Sequence, residues 1–223
     1  MTRTKLINRS LPDYTMGEEI FNYVTHIVGG ALGVLALTVC VIHAAMGENV
    51  WGVVSSAVYG SSMIILYTSS SVYHALKRGM AKKVMQVIDH CTIYFLISGT
   101  YTPILLCSIR NISPIWAWSL FGFVWGLAVL ACTLTAIDLK KYSKFSMACY
   151  ICMGWCIMAA GKITIAAVPR NGFILLLAGG IAYSVGAVIY GLGKKKRYMH
   201  SIFHIFVVLG SLLQFLCIYF YIL

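Results

Sequence analysis

Residues 20–46 read IFNYVTHIVGGALGVLALTVCVIHAAM, 27 positions without an Asp, Glu, Lys or Arg. A helix crossing the hydrocarbon core of a bilayer needs about 20 predominantly apolar residues. This run is long enough to cross, and six more follow, at about 50–74, 84–107, 113–136, 145–167, 171–192 and 198–221. None alternates with period two between turns, as a membrane barrel requires. In lipid the backbone must satisfy its own hydrogen bonds, so each run predicts a helix. The fold class expected is all-α: a polytopic seven-transmembrane helix bundle over residues 20–223, preceded by a polar cytosolic tail at 1–19.

The totals agree. Of 223 residues, 60% are hydrophobic and 10% charged, with a mean hydropathy of +0.86. A soluble domain carries about 25% charged residues, so lipid is the expected solvent, in a multi-pass cell-membrane protein. The first apolar run is too long for the core of a cleavable signal and predicts a retained anchor. The net charge of +11 does not predict nucleic-acid binding, because the basic residues sit in short clusters between apolar runs. The eight cysteines fall almost entirely inside those runs, as small fillers of helix interfaces. That reading extends to Cys149 and Cys152, although they are spaced as a C-x-x-C.

The basic clusters predict orientation. Arg3, Lys5 and Arg9 precede the first run, and Lys77, Arg78, Lys82 and Lys83 lie between the second and third. Lys140, Lys141 and Lys144 follow the fourth, and Lys194, Lys195, Lys196 and Arg197 follow the sixth. The opposite connections hold only Arg110 and Arg170. Cytosolic loops carry the excess of Lys and Arg, so the N-terminus is expected in the cytosol and the C-terminus outside. Reporter fusions at Lys82 should read as cytosolic and fusions after Leu223 as extracytoplasmic; the reverse would invert every depth assignment below.

Ionisable residues inside spans are costly and mark function or the bundle interior. Here they are His26, His43, His74, Asp89, His90, Lys162, His200 and His204. His74 ends an inward-running span. Asp89 lies five residues after Val84, about 7.5 Å along a helix. His200 and His204 occupy the first turns of the last span. Four residues from three helices therefore reach the same leaflet.

His200 and His204 stand at i and i+4, on one helical face. This spacing lets one helix give a metal two ligands, and His74 completes three. Three protein ligands leave zinc's fourth position for water, the arrangement of a catalytic site. Asp89 would then hold or deprotonate that water. Ser70, one turn before His74, is a candidate hydrogen-bonding partner in the catalytic group. Glu19, Asn22 and His26 form a polar stripe entering the same leaflet and, with His90, are candidates to support the ligands. Interhelical hydrogen bonding and capping explain that stripe equally well. Thr100–Pro103 should kink the third span, since proline cannot donate to the helix ladder.

The motifs Glu18–Glu19–x–x–Asn22–x–x–Thr25–His26, Ser70–x–x–x–His74, Asp89–His90 with LISGTYTP ending at Pro103, and His200–x–x–x–His204 occur in that order. Together they resemble the hemolysin III family, part of the progestin and adiponectin receptor superfamily, over essentially the whole chain. The resemblance implies seven helices around a cytosol-facing zinc site of His74, His200 and His204 with Asp89 nearby. Likeness of that superfamily to alkaline ceramidases implies metal-assisted hydrolysis of a lipid amide, with a membrane lipid as substrate. A non-enzymatic sensor of membrane state is the alternative, and the family name implies cytolysis or a pore. The clustering of ionisable groups in one leaflet argues against a pore. Oligomeric state is not legible in the sequence.

Overall fold

The computed structural model describes residues 4–193 and 196–223. Among these, seven helices are long and apolar enough to cross a membrane: α1 (Met16–Met46), α2 (Val50–Ala75), α3 (Met80–Ile112), α4 (Pro114–Ile137), α5 (Ser143–Ala167), α6 (Arg170–Leu192) and α7 (Met199–Tyr221). No strand occurs among the described residues. The protein is an all-helical, multi-pass membrane bundle, as the apolar runs predict. Lys194 and Lys195 of the last basic cluster, and Arg3 of the first, lie outside the described residues.

Helix ends differ from the hydropathy limits where polar chemistry sets them. α1 starts at Met16, four residues before its apolar run. Thr15 and Glu18 form a reciprocal capping box there, with the Thr15 N–H donating to Glu18 Oε2 at 2.8 Å. That satisfies two of the N–H groups every helix start leaves open, and it brings Glu18 and Glu19 into the first turn. At the other end the Asn49 side chain accepts from the Gly52 N–H at 2.8 Å and starts α2 after a short turn.

The inward face of α1 runs Glu18, Asn22, His26, Gly29, Gly33, Ala36, Cys40 and Ala44, all buried. It is polar for two turns and small thereafter. Small residues let membrane helices approach closely. A Cβ added at Gly60 of α2 would lie 2.5 Å from Leu37 Cα of α1. Overpacking of this kind costs about 1–3 kcal/mol. Gly60→Ala should therefore lower the thermal midpoint of the detergent-solubilised protein, whereas Gly126→Ala, with nothing within 4 Å of its added Cβ, should not.

α3 is the most enclosed span. Its regular part ends at Pro103, and Ile104–Ile109 continue as a π-helix before a last turn at Arg110–Ile112. The kink expected at Pro103 is thus a widened turn that carries the helix further than its hydropathy limit. α5 is interrupted by a 3-10 stretch, Cys156–Ala160. Tyr101 of α3 serves this break: its hydroxyl donates to the Gly154 carbonyl at 2.8 Å and accepts from the Ile157 N–H at 3.4 Å. Irregular backbone at membrane depth is tolerated when protein groups satisfy it.

All eight cysteines are free. Cys40, Cys91, Cys107, Cys149 and Cys217 are buried fillers, while Cys152 faces outward. Cys149 and Cys152 are not bridged.

The tail before α1 lies across one end of the bundle. Asp138, between α4 and α5, accepts the Thr4 N–H at 2.7 Å and the Lys141 N–H at 3.1 Å. These backbone donors hold its carboxyl below the usual range. Buried Arg9 donates to the Ile137 carbonyl at 3.1 Å, Lys83 to Ile7 at 2.6 Å, and Arg78 pairs with Asp13 at 2.7 Å. Glu18 accepts the Tyr198 N–H at 2.7 Å, which pins Tyr198 in the left-handed region at φ 60°. The tail and the three connections rich in Lys and Arg therefore meet at one end, the basic face.

Candidate metal centre

Just inside the basic face, three imidazoles meet. His74 comes from the end of α2, His200 and His204 from the start of α7. His74 Nε2 lies 3.3 Å from His200 Nε2, which lies 3.0 Å from His204 Nε2. Two nitrogens bound to one tetrahedral zinc at 2.0–2.1 Å stand about 3.3 Å apart. The spacing suits a metal ion, and the three residues form the one such group of ligands among the described residues.

The far sides of two rings decide their tautomers. His74 Nδ1 lies 2.6 Å from Glu19 Oε2, and His204 Nδ1 lies 3.3 Å from the Asn22 carbonyl. Both partners only accept, so both Nδ1 atoms carry hydrogen. The Nε2 lone pairs of His74 and His204 are then turned inward, toward His200 Nε2. A carboxylate or carbonyl behind a metal-binding histidine is the usual means of fixing its tautomer. His200 differs: its Nδ1 is buried and has no hydrogen-bond partner.

The polar stripe of α1 supplies this support. Glu19 binds His74 with one oxygen and Lys82 Nζ with the other, at 2.7 Å. Asn22 is fully buried; its backbone serves His204, and its amide nitrogen lies 3.4 Å from His74 Nδ1. His26 stacks on His204, with ring centroids 3.7 Å apart and planes 14° apart. Both His26 nitrogens are buried without partners, and its ring face is what meets His204. The exposed His43 touches Tyr219 and takes no part.

Asp89 and His90 sit apart from the triad. Asp89 is half-buried; its carboxylate lies 3.6 Å from His90 Nδ1, and its carbonyl accepts from Thr92 at 2.8 Å. His90 Nδ1 also lies 2.8 Å from the Gln86 carbonyl. Both line an apolar cavity of about 170 Å³ that reaches His200 and His204. Asp89 is the single carboxylate on that wall among the described residues. Ser70 lines it too, its buried Oγ without a hydrogen-bond partner. The cavity runs on past Ile97 and Leu176 to Trp155 and Gln214, between α3, α5, α6 and α7.

Two contributors were not foreseen from the sequence. Lys82, counted above as an orientation charge, is buried and donates to Glu19 and to the His74 and Leu76 carbonyls at 3.2 and 2.9 Å. Tyr14 of the tail stacks on His200, centroids 5.0 Å apart and planes 14° apart. Burial and the neighbouring tyrosines Tyr73 and Tyr190 push its phenol above the ordinary value, so it covers the triad as a neutral ring. Burial of Lys82 has no local sequence sign beyond its place in the first turn of α3, and Tyr14 precedes any hydropathic signal.

The family model described as "Haemolysin-III related" matches residues 14–215. "Hemolysin-3" of Bacillus cereus is 41% identical over 206 residues, 92% of this chain and 92% of that protein. "Hemolysin-3 homolog" of Bacillus subtilis (strain 168) is 38% identical over 208 residues, 93% of this chain and 96% of that protein. More distantly, human "Monocyte to macrophage differentiation factor" is 24% identical over 208 residues, 90% and 80% of the two chains.

Proposed function

The chain belongs to the haemolysin-III-related family, and from that premise we propose that it is a zinc-dependent hydrolase acting on an amide-linked membrane lipid from the cytosolic leaflet. One observation carries the reading: two histidines of the triad, His200 and His204, share the wall of an apolar cavity with a carboxylate and a free hydroxyl, and His74 stands directly behind them. A lipid chain fits such a wall, and the polar groups stand at one end of it.

The donor set suits zinc. Imidazole nitrogens suit zinc, copper, iron and nickel, and the three converging Nε2 atoms leave an open position. Zinc bound there would supply Lewis acidity, lowering the pKa of a water and polarising a carbonyl. His74, His200 and His204 would hold the ion. Glu19 and the Asn22 carbonyl keep two of them in the binding tautomer. The apolar cavity takes the acyl chain and limits bulk water. Asp89, across the cavity, receives the proton of the attacking water and returns it to the leaving amine. Ser70 hydrogen-bonds to the polar part of the lipid.

Positioned general acid–base groups contribute about 10²- to 10⁴-fold to rate. In vesicles with zinc-loaded protein, an N-acylated lipid should release fatty acid. Asp89→Asn should keep zinc near wild-type occupancy while turnover falls more than about 100-fold. A loaded wild-type protein that releases no fatty acid from any amide lipid tested would remove the hydrolase reading and leave a membrane-state sensor built on the same site. The relatives' name carries a cytolytic reading, which predicts instead that vesicles leak dye whether or not zinc is present.

A further inference from the structure

A second space adjoins the triad. On the basic face, a cleft of about 790 Å³ is bounded by the tail around Asp13 and Tyr14, by Glu18, and by the α6–α7 connection with Lys196 and Arg197. His200 and Tyr190 line both this cleft and the apolar cavity. The two spaces, one polar and one apolar, therefore meet at a metal ligand.

The charges of the cleft are not equally available. Asp13 is paired with Arg78 at 2.7 Å. Glu18 is hydrogen-bonded by Thr15 and by the Tyr198 N–H at 2.7 Å and keeps its negative charge, which Arg197 also feels. Lys196 and Arg197 are exposed and have no side-chain hydrogen bond or ion pair with a described residue. His200 adds a donor. When its Nε2 binds a metal, its hydrogen resides on Nδ1, and that buried atom has no acceptor. The other two ligands have theirs from the protein. Two exposed cations thus border a cleft next to an apolar chamber, with the unfilled His200 Nδ1 buried behind its wall.

We propose that this cleft is a headgroup site and that the lipid handled here is an anionic amphiphile, with a phosphate-bearing head held by Lys196 and Arg197 at the His200 end of the cleft. Its chain lies in the apolar cavity. This rests on the lipid reading of the triad and narrows it from membrane lipids in general to those with an anionic head. Phosphate recognition by Lys and Arg uses charge-assisted hydrogen bonds; with Asp13 offset by Arg78, Lys196 and Arg197 outweigh the one remaining carboxylate of the cleft, Glu18.

The test is equilibrium binding to the full-length, zinc-loaded protein in neutral detergent. Three probes are compared: dodecyl phosphate, the neutral dodecyl glucoside, and inorganic phosphate. Dodecyl phosphate should bind most tightly, and Lys196→Gln/Arg197→Gln should weaken it about 10- to 30-fold, from about one surface charge's worth per residue. The same variant should leave dodecyl glucoside unchanged, and its zinc content should match wild type, which reports the fold. Lys140→Gln/Lys141→Gln, on another connection of the same face, should have little effect on any probe. Equal binding of dodecyl phosphate by wild type and the first variant overturns the proposal. So does an equal loss in the second variant, which would mean general surface attraction. Inorganic phosphate binding as tightly as dodecyl phosphate also overturns it, since no chain would then be recognised. Binding does not depend on turnover: charge-dependent binding without hydrolysis would sink the hydrolase reading alone, and hydrolysis with charge-independent binding would sink this proposal alone.

Discussion

His74→Ala, His200→Ala and His204→Ala should each reduce zinc in the purified protein from close to one per chain to near none. Each ring gives one of three nitrogens that face each other across 3.0 and 3.3 Å, and two imidazoles cannot enclose the ion. Removing an outer acceptor costs about 10- to 100-fold in metal affinity; removing a ligand should exceed that range. The fold should tolerate at least the first variant, because the Glu19–Lys82 pair stays intact when the His74 ring is gone. His43→Ala is the matched control, since that ring lies at the opposite end of α1 against Tyr219. Zinc retained by all three variants would place the metal elsewhere.

Glu19→Gln should have the next largest effect, and on two properties at once. One carboxylate oxygen orients His74 at 2.6 Å, and the other pairs with Lys82 at 2.7 Å. The amide should weaken zinc binding by about 10- to 100-fold, as loss of a carboxylate behind a ligand does. It also leaves Lys82, whose side chain is 4% exposed, without its counter-charge. Breaking a buried pair from one side costs about 3–5 kcal/mol. The Leu76 and His74 carbonyls still accept from Lys82, which places the loss toward the lower end. The two effects separate in Glu19→Gln/Lys82→Met, where the stranded cation is removed. Thermal stability should recover in the double variant and zinc affinity should not. Recovery of both would mean that Glu19 acts on the metal only through the fold.

The order in which these features became visible has physical causes. Lipid allows so few ionisable groups that each one inside an apolar run is informative, so His74, His200 and His204 were legible from depth and spacing. The helices were legible for the same reason, except where polar capping at Thr15 or the π-helix after Pro103 moved their ends. What hydropathy cannot report is which carboxylate meets which imidazole across the bundle. Asp89 was expected beside the metal, and it lines the adjoining cavity wall. The carboxylate actually bonded to one of the three histidines is Glu19, 55 residues from His74. Lys82 stands in a basic cluster like the exposed orientation charges, and its burial against Glu19 and the His74 and Leu76 carbonyls distinguishes it. Tyr14 lies in a polar tail without periodicity, yet the tail's anchoring at Asp138, Ile137 and Arg78 lays it over His200.

X-ray absorption at the zinc edge of the purified wild-type protein tests most directly whether His74, His200 and His204 hold a catalytic metal ion. The triad predicts about one zinc per chain, with three imidazole nitrogens at about 2.0–2.1 Å and one further light atom completing the set. A nearest shell containing sulfur at about 2.3 Å, which would place the ion on the cysteines of α5, or a protein that takes up no metal, would contradict it.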